Sequence, residues 1–396
     1  MIFTLEALRA KHGDSLLLHY GAFAERRLVV IDGGPSGVFS KSLRPRLDEL
    51  KLETEAESLP IRLLMVSHID HDHIRGVLDL TRRLRNQEQE QKPLDYDIQT
   101  LWHNSFDDIV GNHIEAMFAE AKTGIGAAAL EGNADPPPRV SRPAAMVLAS
   151  VPEGRTLRSD ADILGLGVND PFDGLVTAQG RNEAPIELGD GLRFWVLGPS
   201  RQRVHEFQLE WDAELKRREL AAPHGIDAVA YLDKSVYNLA SVVVLAEMEV
   251  TAGQTGRMLL TGDARGDDIL AGLRETGFLL DGKSLHVDIL KVPHHGSDRN
   301  VETDFFRKVT ADHYVVSGDG KHGNPEVATF EMIFVARGNA NFVLHLTYDP
   351  DEFIEDYPIG ELTSLFDRKH AEGCPFRLET AKADGEVVRI NLADPI

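Results

Sequence analysis

The sequence has a single cysteine, Cys374, among 396 residues. A lone thiol excludes an intrachain disulfide framework and a thiolate-rich zinc site, so any metal must be held by His, Asp and Glu; it also fits a reducing compartment. Long apolar runs are missing too, and none approaches the roughly 20 residues that a membrane span needs. The opening Met1-Ile2-Phe3-Thr4-Leu5-Glu6 lacks the basic-then-apolar order of an export signal, so a soluble cytoplasmic protein is expected. Positive charge is scarce, with 42 Lys and Arg against 64 Asp and Glu and a formal net charge of -22. That balance argues against a surface built to coat nucleic acid. It leaves a nuclease open, because bound cations invert the local sign of a carboxylate-rich pocket. Neither tandem repeats nor low-complexity segments occur. With 42% apolar residues, a chain this long can bury a large core, as one domain or two.

What the sequence does have is concentrated in Met65-Val66-Ser67-His68-Ile69-Asp70-His71-Asp72-His73-Ile74-Arg75-Gly76. An apolar run at 63–66 reads as a short buried strand, and a helical pattern follows. Imidazoles mixed with carboxylates suit Zn²⁺, Mn²⁺ or Fe²⁺ better than the all-oxygen shells of Ca²⁺ and Mg²⁺. A loop at a strand end is also where layered α/β proteins place their chemistry.

Around that stretch, strands are expected at 3–8, 16–20 and 27–31, joined by the turn Lys11-His12-Gly13-Asp14-Ser15 and ending in Asp32-Gly33-Gly34-Pro35. Asp32 either orients a metal-bound histidine from behind or caps a turn. Helices are expected over 42–57, 77–84 and 106–130, and a strand over 97–104. Residues 105–185, with Pro136 to Pro138, read as an elaboration over the site, and 208–220 as a highly charged amphipathic helix. Hairpins are expected around Gly189-Asp190-Gly191 and 251–255. The second of these runs into Leu260-Thr261-Gly262-Asp263-Ala264. A helix over 267–276 and a strand over 287–292 then lead to Pro293-His294-His295-Gly296-Ser297. After a strand at 313–317 comes Gly318-Asp319-Gly320-Lys321-His322-Gly323-Asn324-Pro325, with Pro325 suited to a first helical turn. A strand at 342–348, a short helix and a terminal strand at 386–390 complete a layered α/β pattern.

Three separated strand ends thus offer ligands: the 68–73 stretch, Asp263, and the 294–295 pair. Two cations about 3.5–4 Å apart commonly share a carboxylate, and Asp263, behind Gly262, is the candidate for it. His71 falls out of the alternation of His68, Asp70 and Asp72, and is expected to face solvent or substrate. Ser297 and Lys291 are available to a phosphate.

These motifs resemble the metallo-β-lactamase-fold hydrolases, and within them the branch of the hydrolase domain of the bacterial competence protein that takes up DNA. Where the superfamily has His-x-His-x-Asp-His, this sequence has Asp70 in place of the second histidine, a variant found in that branch. The likeness covers residues 3–350 and includes Asn238 to Val243, Leu260 to Ala264, Leu290 to Ser297 and His322-Gly323-Asn324-Pro325. It implies an αββα four-layer sandwich, with a domain over 1–350, an insertion at about 105–185 and a C-terminal extension at 351–396. It implies two Zn²⁺ (or Mn²⁺), with His68 and Asp70 on the first and Asp72 and His73 on the second. Asp263 would bridge them and His294 would supply the late histidine, leaving His295 to face substrate. No Gly-His pair precedes Asp263, so His103 stands as a substitute ligand and His224 as a remoter one.

The expected activity is metal-dependent hydrolysis of a phosphodiester by a metal-activated water, with Asp72 and His295 catalytic and His71, Ser297 and His322 lining the substrate pocket. The substrate is nucleic acid met transiently or a small phosphoester. Thioester hydrolysis and a non-catalytic metal-binding role are the alternatives. In the latter, the insertion or the 208–220 helix would meet a protein partner.

Overall fold

The computed structural model describes residues 1–105, 109, 142–206, 208–209, 241–381 and 387–396. The chain opens with β1 (Ile2–Ala7), β2 (Leu16–Gly21) and β3 (Arg27–Ile31), an antiparallel meander. Helix α1 (Arg44–Glu53) follows, entered through a π-turn at Phe39–Leu43. Next come β4 (Leu59–Ile61), β5 (Leu63–Met65), α2 (His71–Gln89), β6 (Tyr96–Ile98) and β7 (Thr100–Trp102). The expected single strand at 97–104 is therefore two short strands that pair with different partners. Helix α3 (Arg142–Leu164) and β8 (Gly167–Val168) come from the expected insertion. The expected helices at 106–130 and 208–220 lie outside the described residues, apart from Ile109, Gln208 and Leu209.

The second half builds β9 (Ile186–Gly189), β10 (Leu192–Gly198), β11 (Val243–Thr251) and β12 (Gln254–Leu260) as antiparallel neighbours. Then α4 (Gly266–Glu275), β13 (Leu285–Lys291), α5 (Thr303–Lys308), β14 (Val309–Val316), α6 (Val327–Arg337) and β15 (Phe342–Leu346) alternate. Helix α7 (Ile359–Ala371), β16 (Phe376–Thr380) and β17 (Val388–Asn391) end the chain. Pro325 precedes α6 rather than opening it: Glu326 is the cap, and the Pro325 carbonyl accepts from Tyr357 Oη at 2.5 Å.

Among the described residues, seven strands form one mixed sheet, ordered β17-β1-β2-β3-β5-β7-β8; eight form another, ordered β16-β15-β14-β13-β12-β11-β10-β9. Residues after 350 thus supply an edge strand to each sheet. The side-chain period of two decides which face each residue serves. Val29 and Ile31 of β3 share a buried cluster with Val244 and Ala246 of β11, so the sheets meet there. Leu28 and Val30 turn the other way, onto Leu47 of α1 and Val77 of α2. Val243 and Leu245 likewise turn onto Ile269 and Leu273 of α4. Strands apolar on both faces are what two sheets packed together, with helices against their outer faces, require.

Helix α2 starts six residues before its expected 77–84 core. Ile74, Val77, Leu78, Thr81 and Leu84 make its buried stripe. The Asp70 carbonyl accepts from both the His73 and Ile74 amides at 2.9 Å, and Asp72 sits favourably in the positive first turn. Half of the histidine-rich motif is therefore helix, not loop. Its first turns press on the end of β3, where Gly33 N donates to His73 O at 2.8 Å and Gly76 N to Gly34 O at 2.9 Å. A Cβ on Gly76 would lie 1.9 Å from the Gly33 carbonyl oxygen, so only glycine permits that approach.

Candidate metal centre

Strand ends β5, β12 and β13 converge, and the turn between β1 and β2 joins them. After β5, His68 lies in the connection, Asp70 caps α2, and Asp72 and His73 occupy its first turn. Beyond β12 comes Asp263, and beyond β13 come His294 and His295. Two groups of side chains offer ligand atoms that lie within 4.8 Å of one another: His68, Asp70 and Asp263, and Asp14, His73, Asp263 and His295. Asp263 belongs to both. All six are buried. Nε2 of His68 is 3.1 Å from Asp70 Oδ2, and Nε2 of His73 is 3.2 Å from Asp263 Oδ1. Nε2 of His295 lies 3.5 Å from Asp263 Oδ1 and 3.6 Å from Asp72 Oδ2.

A second tier of contacts holds the rings from behind. Asp32 Oδ2 is 2.9 Å from His73 Nδ1, and the same carboxylate takes the Ser67 amide at 2.7 Å and the Ser67 hydroxyl. Ser241 Oγ is 3.2 Å from His68 Nδ1. Asn300 spans two strand ends, with Oδ1 2.8 Å from His294 Nδ1 and Nδ2 donating to the Asp263 carbonyl at 3.0 Å. Fully buried Lys291 places Nζ 2.9 Å from Asp14 Oδ2, and Ser317 donates to the other Asp14 oxygen. Lys291 is thus committed to Asp14 rather than open to a phosphate. His294, His295 and Asp32 carry positive φ of 47°, 52° and 60°. Such conformations cost about 1–3 kcal/mol each outside glycine and persist where the surroundings impose them.

Charge is balanced only within the cluster. Burial alone would lower the His73 imidazole, but Asp263 and Asp32 hold it well above its ordinary value. His295 is raised in the same way against burial by Asp263 and Asp14, and His68 by Asp70 and Asp263. The carboxyl of Asp263 is held far below its usual range, against burial, by His73, His294 and His295. Asp14 is held low by Lys291 and His295. Asp72 is pushed up, chiefly by burial and then by Asp263 and Asp70. Buried carboxylates in such number need positive charge close by.

Divalent cations fit that need. Asp72 Oδ1, Asp263 Oδ1, His73 Nε2 and His295 Nε2 are buried without an aligned hydrogen-bond partner among the described residues, although some stand at ion-pair distance from one another. Inward-facing imidazole and carboxylate atoms lacking thiolate are a donor set for Zn²⁺ or Mn²⁺.

The expected residues therefore sort as follows. His68, Asp70, His73 and Asp263 are brought together, with Asp72 beside them. His295, rather than His294, joins the four-residue group; His294 is 28% exposed, with Nε2 3.6 Å from Asp263 Oδ2. His103 joins neither group; it is buried, and its backbone exchanges 2.8 Å hydrogen bonds with the Asn169 side chain. His71 has both ring nitrogens engaged, 3.1 Å from Ser36 Oγ and 3.1 Å from Glu153 Oε1. Ser297 is buried in the histidine turn, and exposed His322 packs edge-on against His12 with ring centres 5.3 Å apart. His224 and Asn238 lie outside the described residues. Asp14 was not foreseen. Its signal was Gly13, where a Cβ would meet the Asp72 carbonyl oxygen at 2.0 Å; the sequence shows the glycine but not what it approaches.

No protein-family model matches the chain. A 70-residue stretch, 17% of the chain, is 34% identical to microtubule-associated protein 1A of rat, mouse and human. The aligned part spans about 2% of the length of those relatives. Among solved structures, a metallo-β-lactamase from Novosphingobium pentaromativorans aligns over 93% of this chain and 90% of its own, with 11% identity and a TM-score of 0.30.

Proposed function

We propose that this chain is a metal-dependent hydrolase of phosphodiester bonds, an αββα sandwich of the metallo-β-lactamase type holding two divalent cations. The observation that carries the reading is Asp263, common to two groups of buried ligand atoms at converging strand ends. His68 and Asp70 would hold one cation, Asp14, His73 and His295 the other, and Asp263 both. Bound there, the cations would supply Lewis acidity at the reacting centre. The chain's own residues set the stage. With a cation bound, Asp32 would accept from His73 Nδ1 and leave Nε2 facing inward, and Ser241 would position His68. Asp72, pushed up by burial and its neighbouring carboxylates, would orient a water through hydrogen bonding. Half-buried His294, held by Asn300, would touch substrate, which would exchange the roles first expected of the two histidines. Residues 1–350 would form the hydrolase proper, with the extension after 350 closing both sheets at their edges.

Measurement of bound metal followed by assays on bis(p-nitrophenyl) phosphate, p-nitrophenyl phosphate and an acyl thioester tests the reading. Turnover of the diester that requires metal and drops on the order of a hundredfold in Asp72→Ala is expected. Stoichiometric metal with no turnover would instead favour a metal-binding interaction protein.

A further inference from the structure

The end of the seven-stranded sheet away from the centre carries a cleft with a polar group at its base. Strand β2 leaves the turn that holds Asp14 at Leu16 and runs away from it, so His19 lies near its far end, paired with Leu28 of β3. Leu17 and His19 share the face that α1 covers. There a cleft of 420 Å³ opens between the β2–β3 turn, the C-terminal end of α1 and the start of β4. Leu28, Leu50 and Leu59 give it a buried apolar lining, and His19 lines it with them. Small-molecule sites span about 300–1,000 Å³ and are mostly apolar, with a few fixed polar groups.

Glu6 holds His19. The ring's Nε2 is 3.2 Å from Glu6 Oε2. That fully buried carboxylate also accepts from Arg46 Nε and Nη2, both at 3.0 Å, and from Arg389 Nε at 2.8 Å. Against burial, His19 and Arg46 hold the Glu6 carboxyl far below its usual range, so it is ionised. Burial lowers the His19 imidazole despite the pull of Glu6, and the charges of Arg26 and Arg46 add to the effect. A neutral ring then keeps its proton on Nε2, toward the carboxylate, and is left with a lone pair on Nδ1. His19 is 1% exposed, and this Nδ1 has no hydrogen-bond partner among the described residues. A buried acceptor left unpaired is costly, and the cleft is the side from which a donor can reach it.

The charges at the rim are committed. Arg26 Nη2 donates to Glu53 at 2.8 Å and Arg27 Nε to Asp190 at 2.8 Å, while Glu25 is exposed at the outer edge. An ion seated on Leu28, Leu50 and Leu59 would lose its hydration with no counter-charge at that depth. We infer that the cleft binds a small uncharged molecule with an apolar body and one hydroxyl or N–H donor, the donor meeting His19 Nδ1. The site needs no metal and does not rest on the hydrolase reading.

Ligand-observed NMR titration of the chain as purified tests this with phenol and anisole, which share a ring and differ in the hydroxyl proton. A preference of about tenfold for phenol is expected. His19→Leu should remove the preference. Ala56→Trp, which fills the cleft from its wall, should abolish binding of both probes with His19 still in place. Melting temperature and bound metal measured on each variant show that it is folded; if His19→Leu is not, Ala56→Trp decides. A cleft that holds water only would show as no phenol binding. That result, equal affinity for the two probes, or phenol binding that survives Ala56→Trp would each overturn the inference.

Discussion

At the residue scale, the centre depends on side chains that never need to touch a ligand. Asp32 was legible as a carboxylate at a strand end, but whether it capped a turn or backed a histidine depended on α2 beginning inside the motif. It lies 2.9 Å from His73 Nδ1. Asp32→Asn is expected to weaken metal binding about 10–100-fold with little change in fold, read by competition with a chelating dye. Lys291 and Asp14 form a fully buried pair at 2.9 Å. Lys291→Met leaves a buried carboxylate uncompensated, so a loss of about 3–5 kcal/mol in urea unfolding is expected, and Asp14→Asn/Lys291→Met should recover part of it. Sequence could not reveal this pair, because its members are 277 positions apart and one sits in a turn that reads as ordinary hairpin chemistry.

At the element scale, the strands were the most legible part, since period two and glycine turns are local signals. The start of α2 was not, because its first turn carries only polar residues and the apolar stripe begins at Ile74. What holds that turn is the seam with the end of β3. Gly76→Ala would set a methyl 1.9 Å from a backbone oxygen that cannot yield without moving the sheet. A loss of roughly 1–3 kcal/mol or more is expected, together with weakened metal binding, because His73 rides on the displaced turn. Beyond the centre, β14 and β15 set His313 against His345 at 2.9 Å. Burial, then the neighbouring His313 and Arg377, lower His345 to about 3. The folded form therefore binds its proton less readily than the unfolded chain does, near pH 6.5. Stability is complete above that value and falls as the pH drops from about 6.5 toward 3, at up to about 1.4 kcal/mol per pH unit. His345→Gln should flatten that acid slope in urea titrations between pH 7 and 5.

At the scale of the whole molecule, metal binding would be coupled to folding. The ligands come from both sheets and from positions 14 to 295, so a cation that binds only the assembled site must stabilise the fold. At a hundredfold excess over its dissociation constant that amounts to about 2.7 kcal/mol per ion, and chelation should lower the melting temperature accordingly. Sequence pattern supplied the three strand ends and their chemistry. It could not say that the β1–β2 turn closes over them, or that His295 points inward while His294 stays half-open, because those facts follow from left-handed turns and from the packing of distant loops.

The most direct test is an equilibrium zinc titration of the chain, with mass spectrometry of the native complex, beside Asp263→Asn. Two ions per chain, with both affinities falling steeply in the variant, is the expected result. One ion or none in the parent chain, or two ions whose binding is indifferent to Asp263, would contradict a centre organised around that shared carboxylate.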